Sequence, residues 1–469
     1  MTINEATIEF IGLETQYICA DEIKRTRIHL DGAASPLAAR AGDDIRTKLL
    51  PHYSNTHSYI HNSAHISSKA FAWAHDTVLD FVGASKSDYA AIFCGSGSTA
   101  AINRIARGLH ALRPNRNTVL ISSMEHHAND LPHRQFDNNC VYLPLNGDGK
   151  RAGAVDLEQL ERVCAEDAER INYIAISSVS NVTGIRNSIK QVCEIAHQHN
   201  IFVLVDAAQS VAHIESKLDQ QNADFWVFSG HKLYTPTAPG VMVAKREILD
   251  AMTEQDLGGG SVVDVSFFDY TLSDDSSIKE ESGTPNIIGA VSLAATMNEI
   301  KTVGQDDILK REIDLTQRLI AGINRLQGYC IYGDPALPRT AAIAFNHKDI
   351  EHGLLAAILN DYFCIAVRNG CFCANPYVSD LLKEELWEID LSEIPESEHQ
   401  AVVDSKRGMV RASLSAYSNK AQIDALISAL STIEKNIDEY RQHYQMQSNG
   451  CFIHKSFEID WRDELFNEN

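Results

Sequence analysis

The chain has 469 residues, 44% hydrophobic and 22% charged, with 41 Lys and Arg against 63 Asp and Glu for a net charge of −22. That length supports a large core and two domains, while the acidic balance, with no basic patch to offset it, excludes nucleic-acid binding through phosphate contacts. No stretch reaches the roughly 18 apolar residues of a membrane span, and the opening MTINEATIEFIGLETQ has neither a basic nor an apolar leader region, so a cytoplasmic protein with no membrane partner is expected.

Taken in chain order, the first strong signal runs from about residue 85 to 250, where short apolar runs alternate with amphipathic stretches. YAAIFC, AAINRIARGLHAL, TVLISS, INYIAISSV, SIKQVCEIAHQHN, IFVLVD and DFWVFSG follow one another in that rhythm. Such alternation predicts βα units around a mainly parallel sheet, an α/β fold. After Gly258-Gly259-Gly260 the character changes, and an amphipathic helix over 287–303 leads to TAAIAFNH and a helix at GLLAAILNDY, the elements of a smaller α+β domain. The expected organisation is an N-terminal arm (1–30), a large domain (31–285), a small domain (286–440) carrying an acidic insertion (380–407), and a tail (441–469). The ten cysteines include Cys94, Cys193 and Cys364 inside apolar runs, which predicts reduced core residues rather than disulfides. Only Cys371 and Cys373 stand close together, and a structural zinc site would need more thiols or histidines, so no metal is expected.

Four predicted strands end in residues of chemical use. YAAIFC runs into Gly95-Ser96-Gly97-Ser98-Thr99 and a helix, an arrangement of free N–H groups and hydroxyls that suits a phosphate, although neither a Walker A loop nor GxGxxG is present. IFVLV ends in Asp206, a carboxylate that is costly at the mouth of an apolar strand unless a cation meets it. YIAISSV ends in Ser180-Asn181, and DFWVFSG in His231-Lys232. Phosphate cradle, carboxylate, amide and lysine at neighbouring strand ends describe a site for pyridoxal 5'-phosphate. Lys232 would hold the aldehyde, Asp206 would keep the pyridine nitrogen protonated, and the cradle would take the phosphate.

Gly97-Ser98-Thr99, Glu125-His126-His127-Ala128-Asn129, Ser180-Asn181-Val182, Asp206-Ala207-Ala208-Gln209, Ser229-Gly230-His231-Lys232, Gly283-Thr284-Pro285-Asn286 and Arg411-Ala412-Ser413 resemble the motifs of class V aminotransferase-fold enzymes. Within them the chain is most similar to group II cysteine desulfurases and selenocysteine lyases, over roughly residues 28 to 435. The resemblance implies the fold type I architecture of pyridoxal-phosphate-dependent transferases and a homodimer with shared sites. It implies that His126 stacks on the cofactor ring, that Gln209 and Asn181 sit near its phenolic oxygen, that Ser98, Thr99, Ser229 and His231 bind its phosphate, and that Thr284 reaches the phosphate of the other subunit.

The segment VRNGCFCANP, residues 367–376, bears on the reaction. Desulfurases of this type carry Arg, Gly, a cysteine five positions after the Arg, then Ala-x-Pro, and Arg368, Gly370, Cys373, Ala374 and Pro376 match. A thiolate is the soft nucleophile that can take sulfur from a bound cysteine and keep it as a persulfide. The resemblance thus implies Cys373 as sulfur carrier, Arg411 as clamp on the substrate carboxylate with Arg368 near the thiol, and His57 and His61 on the substrate side. Two departures stand out: Cys371-Phe372, where group II enzymes often have histidines, makes a GCFC segment that resembles the desulfurase domain of molybdenum-cofactor sulfurases, and the acidic insertion lengthens the path from Cys373 to Arg411. Cys371 reads as a small buried filler or as a second thiol for the persulfide; the insertion reads as a solvated elaboration or as a docking surface for a protein sulfur acceptor. The alternatives to a desulfurase acting on L-cysteine are a selenocysteine lyase, another C–S lyase or an aminotransferase in which Cys373 carries no sulfur, and, from another class, a sulfur-relay or metal-binding partner protein.

Overall fold

The computed structural model describes residues 7–466 apart from 59, 137–138, 254–255, 388, 390–391, 393–394 and 396–398. Strands β1 (Tyr89–Cys94), β2 (Thr118–Ser122), β3 (Asn139–Leu143), β4 (Ile171–Ser177), β5 (Phe202–Asp206), β6 (Phe225–Ser229) and β7 (Gly240–Lys245) form one sheet in the order β1-β7-β6-β5-β4-β2-β3. β7 is antiparallel to both its neighbours, and all the other pairs are parallel. Continuous apolar runs suit this sheet because both of its faces are covered. In β6, Trp226 and Phe228 enter one core while Phe225 and Val227 enter the core on the other face. Each such fully buried side chain contributes about 1.5–3 kcal/mol.

Two of the connecting helices start at the edge where the parallel strands end or close behind it: α1 (Gly97–Leu112), directly after β1, and α2 (Ile189–Gln198), between β4 and β5. Beyond Gly258-Gly259-Gly260 the chain forms an exposed hairpin, β8 (Val262–Val265) and β9 (Tyr270–Leu272), with Phe267 and Phe268 fully exposed at its tip. Helix α3 (Ile287–Val303) corrects one expectation. It is buried over most of its length, with Ala290 to Ala294, Met297 and Ile300 all inside, rather than amphipathic. Small and apolar residues surround most of its axis up to Met297, so this part packs between helices Arg40–Leu49 and Asn62–Val82 and the sheet, while Asn298, Lys301 and Thr302 near its end are exposed.

Helix α4 (Gln305–Ile323) leads into a four-stranded antiparallel sheet of β10 (Tyr329–Ile331), β11 (Ala342–His347), β12 (Arg368–Gly370) and β13 (Met409–Ser413), in the order β10-β11-β13-β12. α4, α5 (His352–Phe363) and α9 (Lys420–Lys435) bury their apolar faces on it and form a separate core. Residues 28–30 add to this core, because Ile28 and His29 pair with Ile365 and Ala366 and Leu30 is wholly buried. Between β12 and β13 lie the short helices α6 (Asn375–Leu381), α7 (Lys383–Trp387) and α8 (His399–Lys406). Glu388, Asp390, Glu393, Glu396 and Glu398 of the acidic stretch lie outside the described residues. The tail adds a hairpin, β14 (Tyr444–Met446) and β15 (Phe452–His454), whose turn at Gly450 sits on α8: a Cβ there would stand 2.8 Å from the Ser405 nitrogen and 3.0 Å from the Ala401 oxygen.

All ten cysteines are free. No helix among the described residues is long and apolar enough to cross a membrane.

Candidate active site

A cavity of about 490 Å³ opens where β4, β5 and β6 end and α1 begins. Ser98, Thr99, His126, Asn181, Asp206, Gln209, Ser229, His231 and Lys232 all line it. The topology explains the convergence, since parallel strands deliver their C-terminal ends, and the N-terminus of the following helix, to one edge.

The cradle is built by close backbone approach. Gly97 has φ +58°, and a Cβ there would meet Ser229 Oγ at 2.6 Å; a Cβ on Gly240 would strike the Gly97 carbonyl at 2.0 Å. The Ser98 N–H donates to Ser229 Oγ (2.8 Å), whose hydroxyl lies 3.2 Å from Ser98 Oγ. Hydroxyls and the positive end of a sixteen-residue helix thus point at one place, the donor set a phosphate requires.

Asp206 is 5% exposed, and among the described residues its carboxylate accepts one hydrogen bond, from the Ala208 N–H at 2.9 Å. Burial raises its pKa, and Lys232 only partly offsets this. A protonated ring nitrogen in the cavity would supply the missing cation. Burial likewise lowers the pKa of Lys232, against the pull of Asp206 and with Arg411 and Arg368 adding repulsion. An amine so disfavoured as a cation is suited to act as a nucleophile. Together, these residues fit pyridoxal 5'-phosphate.

His126 accepts the Ala128 N–H at Nδ1 (3.0 Å), which leaves its ring proton on Nε2. Burial, with Lys232 close by, pushes its pKa down to about 4, so the imidazole is neutral near pH 7. The preceding Glu125 is buried without a cation. It accepts hydrogen bonds from Ser122 Oγ, the Ser177 N–H (2.7 Å), Ser177 Oγ (2.5 Å) and Asn129 Nδ2 (2.6 Å). Burial still pushes its pKa up to about 7. Glu125 therefore ties the ends of β2 and β4 together at the residue before His126, a role that no feature of the sequence assigned to it.

Cys373 is exposed at the edge of this site. Phe372 and Cys373 both take left-handed backbone, with φ +54° and +55°, which turns the loop sharply before α6. The His127 N–H donates to the Cys373 carbonyl (2.7 Å) and Asn181 Nδ2 to the Phe372 carbonyl (2.8 Å), so the cavity residue Asn181 and the neighbour of His126 hold the loop. Arg411 is 2% exposed, donates to the Asn181 carbonyl (2.8 Å) and to Asp31 (3.1 Å), and lies 4.8 Å from the Phe372 ring centre. Among the described residues its Nε is buried without a partner, and burial lowers its pKa to about 10. Arg368 faces Arg411 across β12 and β13. Two like charges in that register repel unless an anion joins them, and the free Nε suits a carboxylate.

Three expected residues lie elsewhere in the chain. His57 Nε2 is 3.2 Å from the Gly283 carbonyl, Asn55 Nδ2 donates to Thr284 (3.1 Å), and His61 caps the helix Asn62–Val82. None of them lines the cavity of its own chain. Cys371 is partly buried, its Sγ 3.4 Å from the Arg407 carbonyl at the end of α8, and burial raises its pKa. Asp31 escapes sequence reasoning because its partner Arg411 is 380 residues away; no local pattern announces that pair.

The family model for class-V aminotransferases matches residues 28–426. The chain belongs to this family. Its members depend on pyridoxal 5'-phosphate, and so does this enzyme, in the site whose donors fit it. Among similar curated proteins, a probable cysteine desulfurase from Halalkalibacterium halodurans is 32% identical over 86% of this chain and 92% of its own length. A cysteine desulfurase from Pectobacterium atrosepticum is 30% identical over 87% and 93%. Among solved structures, the apo cysteine desulfurase from Thermococcus onnurineus NA1 superposes with a TM-score of 0.76 at 26% identity, covering 87% of this chain and 95% of that one. The cysteine desulfurase CsdA (S-sulfonic acid) from Escherichia coli gives 0.73, also at 26% identity, with the same coverage.

Proposed function

We propose that this class-V enzyme is a cysteine desulfurase, converting L-cysteine to L-alanine and carrying the sulfur as a persulfide on Cys373. The observation that carries this reading is the thiol itself: Cys373 is exposed on a loop fastened to Asn181 and His127 and lies beside a buried arginine with a free Nε. When bound, pyridoxal 5'-phosphate supplies an electron sink for bond breaking at the substrate amino acid. Lys232 would hold the cofactor, and its amine would take or return a proton at the substrate Cα. Asp206 would hold the proton of the cofactor's ring nitrogen, and Ser98, Thr99, Ser229 and His231 would hold its phosphate. Gln209 and Asn181 would bind near its phenolic oxygen, and His126, neutral with its proton on Nε2, would stack on the ring and exchange protons with the substrate. Arg411, assisted by Arg368, grips the carboxylate and so aims the substrate sulfur at Cys373. The Cys373 thiolate attacks that sulfur; an S–S bond forms as the C–S bond breaks, its electron pair staying with the carbon, which gains a proton to give alanine.

The working unit in this reading is a homodimer in the cytoplasm. Thr284, outside its own cavity, reaches the phosphate of the second subunit, and His57 and His61 serve on the substrate side. The large unit spans 31–285 and the small one 286–440, and the acidic segment 380–407 acts as a lid that receives a protein sulfur acceptor. Incubation of the holoenzyme with L-cysteine, with and without a reductant, tests the assignment. Equimolar alanine, sulfide only with reductant, and one added sulfur atom on Cys373 by mass spectrometry are expected. Alanine formation that survives Cys373→Ser would instead favour a lyase in which Cys373 carries no sulfur, and transamination without C–S cleavage would favour an aminotransferase.

A further inference from the structure

The turn at residues 31–33 joins two parts of the site that the sequence keeps far apart. Its backbone is fastened to β13: the Ser413 N–H donates to the Leu30 carbonyl (2.7 Å), and the Ala33 N–H donates to Ser413 Oγ (3.0 Å). A Cβ on Gly32 would stand 2.0 Å from Ser415 Oγ and 3.1 Å from the Leu414 carbonyl, so the absence of a side chain lets the turn run this close to the chain beyond β13. From this fixed turn two contacts reach the site. The Ala33 carbonyl accepts from Nε2 of Gln209, which lines the cofactor cavity (2.8 Å), and Asp31 Oδ1 accepts from Arg411 Nη2 (3.1 Å).

Arg411 is a buried cation, and Asp31 is its only ion-pair partner among the described residues. Burial disfavours its charge and Arg368 adds repulsion, so the Asp31 carboxylate is the chief group that keeps it charged. Of the five guanidinium N–H groups, one goes to the Asn181 carbonyl (2.8 Å) and one to Asp31, which leaves three without a partner among the described residues. Held at both terminal nitrogens, the fork has one orientation. With Asp31 neutral, the long Arg411 side chain would carry an unpaired charge beside Arg368 and lose that orientation.

We propose that Asp31 is a positioning residue for the substrate carboxylate: it sets the Arg411 fork, with N–H groups uncommitted, before the substrate arrives. Because the same turn also holds Gln209, it keeps the clamp and the cofactor cavity at one separation. This inference rests on the reading of Arg411 as the carboxylate clamp. Asp31 acts through Arg411, and its contribution is the ordering that substrate binding would otherwise have to supply.

The test combines steady-state kinetics with titration of the holoenzyme's cofactor absorbance by L-cysteine. Asp31→Asn keeps the size of the side chain and removes its charge; it should raise KM and the titration midpoint about tenfold while kcat stays within about twofold of wild type. Asp31→Glu keeps the charge one methylene away, so it should raise both by only about threefold, and it decides the matter should Asp31→Asn not fold. Once Arg411 is replaced by alanine, Asp31→Asn should move the midpoint by less than about twofold, because nothing remains to be positioned. The proposal is overturned if Asp31→Asn lowers KM, which would make Asp31 a competitor of the substrate, if its effect is undiminished in the Arg411→Ala background, or if kcat falls as far as KM rises, as a merely structural role requires. The titration reports amino-acid binding whether or not alanine forms, so a normal titration without alanine would end the desulfurase reading alone, and no absorbance response in the wild type would end both.

Discussion

The cofactor cavity and the Cys373 loop meet at one site but are built on opposite terms. Asp206, Asn181, Ser229 and Lys232 stand at or just past the ends of β4, β5 and β6, within a sheet covered on both faces, so their positions are fixed by the dense packing of the two cores behind them. Cys373 owes its place to two left-handed residues and a few hydrogen bonds, and its side chain is exposed. The lesson is one of division of labour. Groups that hold a bound ring belong on rigid elements, whereas a thiol proposed to take sulfur inside the site and give it up outside needs a support with give.

That contrast can be broken at either end. The largest effect is expected from Lys232→Ala, which should abolish the visible absorbance of covalently held cofactor and lower turnover by at least about 10⁴-fold. A borohydride-reducible cofactor on another lysine would end the assignment. Cys373→Ser should separate the two regions, leaving cofactor absorbance untouched while alanine release falls about 10³-fold or more. Arg411→Lys, which loses the planar fork at the junction of the two, should raise KM for L-cysteine by about 30- to 100-fold, read from initial rates.

A smaller effect sharpens the account of the rigid side. Glu125 titrates at about 7 in the folded protein, above its ordinary 4.5. The folded state therefore binds this proton more tightly than the unfolded chain; the resulting stabilisation is complete below pH 4.5 and is lost as pH rises through 7. Glu125→Gln mimics the protonated form, so thermal unfolding of the variant should vary less between pH 5 and 8 than that of the wild type, by up to about 3 kcal/mol. Identical pH profiles would remove Glu125 as the source. The smallest effect belongs to the periphery: replacing residues 384–404 by a short Gly/Ser linker should leave cofactor absorbance intact and slow sulfur delivery to a protein acceptor by about tenfold relative to a small reductant. Equal effects on both routes would mark the segment as a mere elaboration.

The same division separates what could be read from the sequence from what could not. β4, β5 and β6 were legible because a strand buried on both faces has no polar alternation, and the polar residue that ends such a run stands out. The cradle at Gly97 was legible because glycine is what its left-handed turn demands. The turn at Phe372 and Cys373 was not, since neither residue favours positive φ and only the finished contacts to Asn181 and His127 hold it. Nor was the Asp31–Arg411 pair, which the fold makes by bringing residues near the chain's beginning against β13. Helix α3 misled for a simpler reason: Ile287 to Met297 repeat at helical spacing, but the residues between them are small enough to be buried as well.

Gly450 gives the tail a mechanical meaning. Because its turn rests on the backbone of α8, and the carbonyl of Arg407 just past α8 touches the Cys371 thiol, the C-terminal hairpin props the strut on which the sulfur-bearing loop leans. A proteolytic cut between α9 and that hairpin would leave every residue of the cofactor cavity in place and still be felt at Cys373, so limited digestion offers a way to loosen the loop without altering a single residue of it.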